Sequence, residues 1–83
     1  MNRNKLLERL NEASLQNVSF ADFVSLLRGF GVYVHHVRGS HHIFRHPDLR
    51  DRLNLQEDRG EAKPYQIREF LDLVERYNLQ LED

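Results

Sequence analysis

The sequence predicts an α+β domain: a leading helix, then the order α-β-β-β-α, with helices covering one face of a three-stranded antiparallel sheet. Two observations carry this. Apolar residues return at helical spacing over residues 4–13, 19–29 and 64–77, and the stretch between the last two is rich in β-branched and aromatic residues broken by turn signals. A chain of 83 residues has room for one small domain burying roughly 60 to 65% of its unfolded surface, too little for a large enclosed cavity.

Leu6, Leu7 and Leu10, with charged residues between them, predict a short amphipathic helix over residues 4–13. Residues 1–18 thus read as an N-terminal helical extension, either an extra packing layer or the contact of a homodimer, ahead of a domain spanning 19–83. Ser19 is the natural N-cap of the second helix, with Asp22 three residues on. Phe20, Phe23, Val24 and Leu27 line one face of that helix until Gly29 and Gly31 end it. Residues 32–38 and 41–46 read as a hairpin around Gly39-Ser40, closed before Pro47-Asp48, and a third strand follows over 52–56. The polar, glycine-containing stretch 57–62 reads as a loop. Pro64 suits the first turn of a helix because its missing N–H needs no partner there. Ile67, Phe70, Leu71 and Val74 give the last helix its apolar face, and Asn78 stops it after Tyr77. Two helices over one face of such a sheet leave the other face open to a ligand.

Charge locates that ligand's side of the molecule. The net charge of −1 argues against an anionic partner, but it is unevenly spread. Residues 28–46 hold all five histidines with Arg28, Arg38 and Arg45 and no acidic residue, whereas Glu69, Asp72, Glu75, Glu82 and Asp83 face only Arg76 in residues 69–83. Such a dipole presents a basic face to an anion while its acidic end keeps the chain soluble. The absence of cysteine excludes disulfides and thiolate chemistry and favours a cytoplasmic location. No run reaches the length of a membrane span, and the opening MNRNKLLERL lacks the apolar centre of a signal peptide.

Within the basic window, strand alternation sorts the histidines, because residues two apart share a face. With Phe44 in the core, His42 and His46 lie on its side, and His41, Ile43 and Arg45 point to the open face. Histidine, titrating near pH ~6.5, moves protons at neutral pH, and arginine grips phosphate by paired hydrogen bonds. His41 and Arg45, which flank one exposed patch, together suit phosphodiester cleavage. Metal binding is the competing use of the histidines, since the hairpin sets His35 or His36 near His41 or His42. The spacing argues against it: there is no cysteine, no His-x3-His on a helix and no carboxylate in the cluster. His35 and His36 read as solvated or partly packed strand residues, and His46 beside Pro47 as structural.

The run GSHHIFRHP at residues 39–47, after a glycine-terminated helix and a strand and before GEAKP at 60–64 and a closing helix, resembles the HicA-type toxins, small mRNA interferases of toxin–antitoxin systems. The resemblance covers residues 19–77. It implies a fold like that of a double-stranded-RNA-binding domain, and metal-independent cleavage of mRNA with no cofactor. The catalytic histidine of its Gly-Ser-His motif falls on His41, the side chain that alternation also selects. The implied chemistry has a base remove the 2′-hydroxyl proton so that this oxygen attacks the adjacent phosphate. Arg38 and Arg45 would stabilise charge on the phosphate, Ser40 would position it, and Lys63, at the amino end of the last helix, would bind a neighbouring one. A second proton-transfer group is missing from the motif; His42 and His36 are the candidates, but alternation turns His42 away from the site, so the implied enzyme is slow. The implied protein partner is a HicB-type antitoxin that covers the open sheet face. A non-catalytic RNA-binding module is the alternative, since such folds grip RNA through phosphates and 2′-hydroxyls without cutting. A purely structural or interaction protein is the third reading.

Overall fold

The computed structural model of the chain describes residues 2–82, and all statements below concern these residues. Three helices and four strands follow in the order α1 (Arg3–Asn11), α2 (Phe20–Gly29), β1 (Tyr33–Arg38), β2 (His41–Arg45), β3 (Leu53–Asp58), β4 (Glu61–Ala62) and α3 (Pro64–Tyr77). The strands form one antiparallel sheet in the order β1-β2-β3-β4.

Local chemistry accounts for the helix ends. Asn2 Oδ1 accepts the backbone N–H groups of Asn4 and Lys5 to start α1. Ser19 Oγ accepts the Asp22 N–H at 3.0 Å to start α2, satisfying a donor that the first turn would otherwise leave unpaired. Pro64 opens α3, and Asn78 closes it in the left-handed region at φ 52°, a conformation in which asparagine is better tolerated than most residues.

The sheet has four strands where three were expected. Residues 57–62 pair as a hairpin: Glu57 lies opposite Ala62 and Asp58 opposite Glu61. The two-residue turn between them, Arg59-Gly60, has positive φ at both positions (54° and 79°), the pattern of a type I′ turn. Charge hid this hairpin from the loop reading, because edge strands carry polar side chains on their exposed positions. The chain entering α2 extends the same edge: Ser19 bridges Glu61, the Phe20 N–H donates to the Gly60 carbonyl, and the Ala62 N–H donates to the Val18 carbonyl.

One hydrophobic cluster unites all three helices with the inner side of the sheet. Phe70 of α3 meets Phe23 and Phe30 edge-on, and Phe44, Leu53 and Leu55 supply the sheet's share. Leu6 and Leu10 of α1 are each only 1% exposed in this cluster, with Leu15 and Val18 after them, so the leading helix is a packing layer of the core. The chain end folds back onto α2, where the Glu82 N–H donates to the Gly29 carbonyl at 2.7 Å. No helix is long and apolar enough to cross a membrane.

Gln66 performs an unusual task for a buried polar side chain. Its Oε1 accepts the Gln56 backbone N–H at 3.1 Å and its Nε2 donates to the Asn54 carbonyl at 3.4 Å. One amide from α3 thereby pairs two main-chain groups of β3 that β4 is too short to reach.

Candidate functional site

The site is built on the turn between β1 and β2. Gly39 sits at φ 60°, and Ser40 after it does not share the positive φ; this type II′ pattern is open to glycine at little steric cost. The turn pairs Arg38 with His41, Val37 with His42 and His36 with Ile43, with a bulge at His35, and restores Val34 opposite Phe44 and Tyr33 opposite Arg45. Cross-strand partners share a face. The outer face of the sheet therefore carries Tyr33, His36 and Arg38 from β1, His41, Ile43 and Arg45 from β2, and Asn54 and Gln56 from β3. None of these residues is buried.

Arg38, Ser40, His41, Arg45 and Lys63 were the residues expected from sequence to form the site. Arg38 and His41 are direct cross-strand neighbours, and both are exposed. Ser40 lies in the adjacent turn. Lys63, at the N-cap of α3, reaches back to the sheet: its Nζ donates to Gln56 Oε1 at 3.0 Å, and Gln56 Nε2 donates to Ser40 Oγ at 3.4 Å. Gln56 is also the cross-strand partner of His41. Ser40, His41, Gln56 and Lys63 thus converge at one end of the open face, with Arg38 beside them, while Arg45 stands four residues further along β2.

The other histidines separate as alternation requires. The His42 ring lies on the inner side, 4.7 Å from Phe20 and 6.4 Å from Phe44 between centroids, and its Nδ1–H donates to the Ser40 carbonyl at 3.1 Å. It braces the turn that carries His41. His46 Nδ1 accepts the Asp48 N–H at 2.9 Å, and its ring packs so close to Gly31 that a Cβ there would stand 3.3 Å from Nε2. His36, opposite Ile43, is the other strand histidine on the outer face. Among the described residues no group of three or more His, Cys, Asp or Glu side chains is placed to hold a metal ion.

Three residues of this surface escaped the sequence reading. Gln56 carries no charge or motif, and only its pairing with His41 reveals it. Tyr33, 50% exposed on the outer face, and Tyr65, 56% exposed with Lys63 Nζ 6.0 Å from its ring centroid, are aromatic surfaces of the kind on which unstacked bases settle. Their signal was present, as aromatics adjoining basic residues, but periodicity absorbs Tyr33 into a strand and Tyr65 into a helix.

Taken together, the outer face offers an exposed imidazole and donors from arginine, lysine, serine and glutamine, a set suited to a phosphodiester, with no carboxylate from β1 or β2 and Asp58 and Glu61 at the β3–β4 rim. A sequence model of the family described as HicA toxin of bacterial toxin–antitoxin systems matches residues 20–75, from the start of α2 through most of α3. No curated protein and no solved structure gives a significant match.

Proposed function

The chain belongs to the HicA toxin family of bacterial toxin–antitoxin systems, and from that membership we propose that it is an mRNA endoribonuclease whose proton-transfer residue is His41. The observation that carries the reading is the placement of His41: exposed on the open face, beside Arg38, and opposite the Gln56 that links Ser40 to Lys63. The fold is read as a variant of the double-stranded-RNA-binding domain, with a fourth short strand and an added N-terminal helix.

In the proposed reaction His41 takes the proton of a ribose 2′-hydroxyl, and that oxygen attacks the adjacent phosphorus. The phosphorus–5′-oxygen bond breaks, leaving a 2′,3′-cyclic phosphate, and the departing 5′-oxygen collects a proton. Arg38 and Lys63 neutralise the charge that builds on the phosphate, with Ser40 donating to a non-bridging oxygen and Arg45 holding the strand further along the sheet. Two exposed tyrosines give flanking bases a place to stack. His36 shares the outer face with His41 and is the better placed of the remaining strand histidines to return a proton; His42 is committed to Phe20 and the turn. No metal enters this scheme. A HicB-type antitoxin that lies over the outer face would cover His41 and silence the enzyme.

The test compares purified wild type and His41→Ala on single-stranded RNA in the presence of a chelator. Cleavage by wild type alone, ending in cyclic phosphate, supports the reading. A folded wild type that binds RNA without cutting it would instead favour the non-catalytic RNA-binding module.

A further inference from the structure

The two edges of the sheet differ. At β4 the edge is closed by the chain entering α2, and on β3 by Gln66. At β1 no described strand pairs with the outer edge, and all six residues of β1 are exposed. These include Val34 and Val37, which register places on the inner side with Phe44 and His42; Val37 is 51% exposed and Val34 38%. An inward-facing valine pair left half in water means that β1 overhangs the helical layer without being covered by it. Beneath the overhang runs an apolar groove of about 370 Å³ lined by Phe20, Val24, Val34, Val37 and Phe44, with Arg28 at its one charged position.

Charge and geometry identify the occupant. A second copy is disfavoured twice: an isologous pairing of two β1 strands would bring together two strands that carry Arg38, His35 and His36 and no acidic residue, and the bulge at His35 breaks the regular ladder such pairing needs. The same cations, with no acidic residue anywhere in residues 28–46, suit an acidic chain. We propose that β1 is the docking edge for an extended protein segment of about six residues that alternates apolar with acidic side chains, its apolar set seated in the groove against Val34 and Val37 and its carboxylates on the outer side by Arg38. The segment belongs to a protein partner of the antitoxin class that family membership implies. The surface shares Arg38 with the His41 face but does not include His41, and the anchor at Val34 and Val37 is read separately from RNA cleavage.

The experiment uses the full chain, labelled with ¹⁵N, and follows amide shifts on titration with a synthetic decapeptide alternating valine and glutamate. A valine–lysine decapeptide and a single-stranded RNA oligonucleotide run in parallel. The expected result is shifts at Val34, Val37 and the groove with the acidic peptide and with neither the lysine peptide nor the RNA, weakening as salt is raised. Val37→Asp, at an exposed position that folding does not need, should cut the affinity about tenfold or more, and His41→Ala should leave it unchanged. Equal binding of the lysine peptide, shifts at His41 and Gln56 without shifts at Val34 and Val37, RNA as the ligand that moves Val34, Val37 and the groove, or β1 shifts that depend on protein concentration alone would each overturn the proposal. Loss of RNA cleavage in the wild type, with peptide binding intact, would sink the nuclease reading and leave this one standing.

Discussion

His41 of β2 and Gln56 of β3 stand directly opposite each other on the outer face of the sheet, and Gln56 spends both ends of its amide there, donating to Ser40 Oγ and accepting from Lys63 Nζ. One neutral side chain therefore sets the spacing between a turn, a strand and a helix start around the exposed imidazole.

Replacing that amide is the most selective probe of the arrangement. In Gln56→Ala the lysine and serine lose their common partner, and RNA cleavage should fall about three- to tenfold, the value of one ordinary hydrogen bond. Thermal stability should hold, since the Gln56 side chain is half exposed and its backbone bond to Gln66 survives. Gln56→Glu would bring a carboxylate next to His41, and weaker RNA binding in a filter or anisotropy assay is the expected outcome. Cleavage at the wild-type rate in both variants would show that the link is not used.

Gln66→Ala tests the fold in place of the chemistry. The substitution strips the Gln56 N–H of its partner in a buried setting, and unfolding in urea should reveal a loss of about 1–3 kcal/mol. Gln66→Leu should be no better, because extra apolar surface does not satisfy an N–H.

The Arg59-Gly60 turn predicts a gain. Asparagine adopts positive φ more readily than arginine and forms the preferred type I′ pair with glycine, so Arg59→Asn should raise stability by about 0.5 kcal/mol. Arg59→Val, β-branched at φ 54°, should lower it by about 1–2 kcal/mol. Opposite movements of the two melting temperatures would verify the hairpin; identical ones would argue that residues 57–62 are an unstructured loop.

Leu10→Ala should cost about 2–5 kcal/mol, because the side chain is 1% exposed within the common core. Removing residues 1–18 altogether deletes Leu6, Leu10, Leu15 and Val18 from that core. The fragment 19–83 should then lose the amide dispersion of a folded protein in NMR spectra, or survive only as an aggregate.

The helices were legible in the sequence because their signals are local: Ser19 caps its own helix, Asn78 ends its own, and Phe70 lies on an apolar stripe with Ile67, Leu71 and Val74. The inward placement of Phe44 and the outward placement of His41 followed from the period of a strand alone. What stayed hidden depends on distance along the chain. Gln66 reads as one more polar helix residue until β3 is seen to end its pairing ten residues earlier, and Gln56 has no meaning without the register that brings it to His41. The short β4 was masked by its charges, since Glu57, Asp58 and Glu61 carry the composition of a loop and the geometry of an edge. Likewise, Leu6 and Leu10 show an amphipathic helix without showing what its apolar side meets.

The closed edge at β4 and Gln66 and the open edge at β1 give the molecule a polarity that bears on how it can associate. Stacking by strand addition into a fibre requires every unit to offer two free edges, one to accept and one to be accepted. This chain has one. Whatever joins β1 ends the series, so strand addition can make a pair but cannot propagate, and a small domain with an uncovered valine strand is spared the runaway assembly that such a strand would otherwise invite.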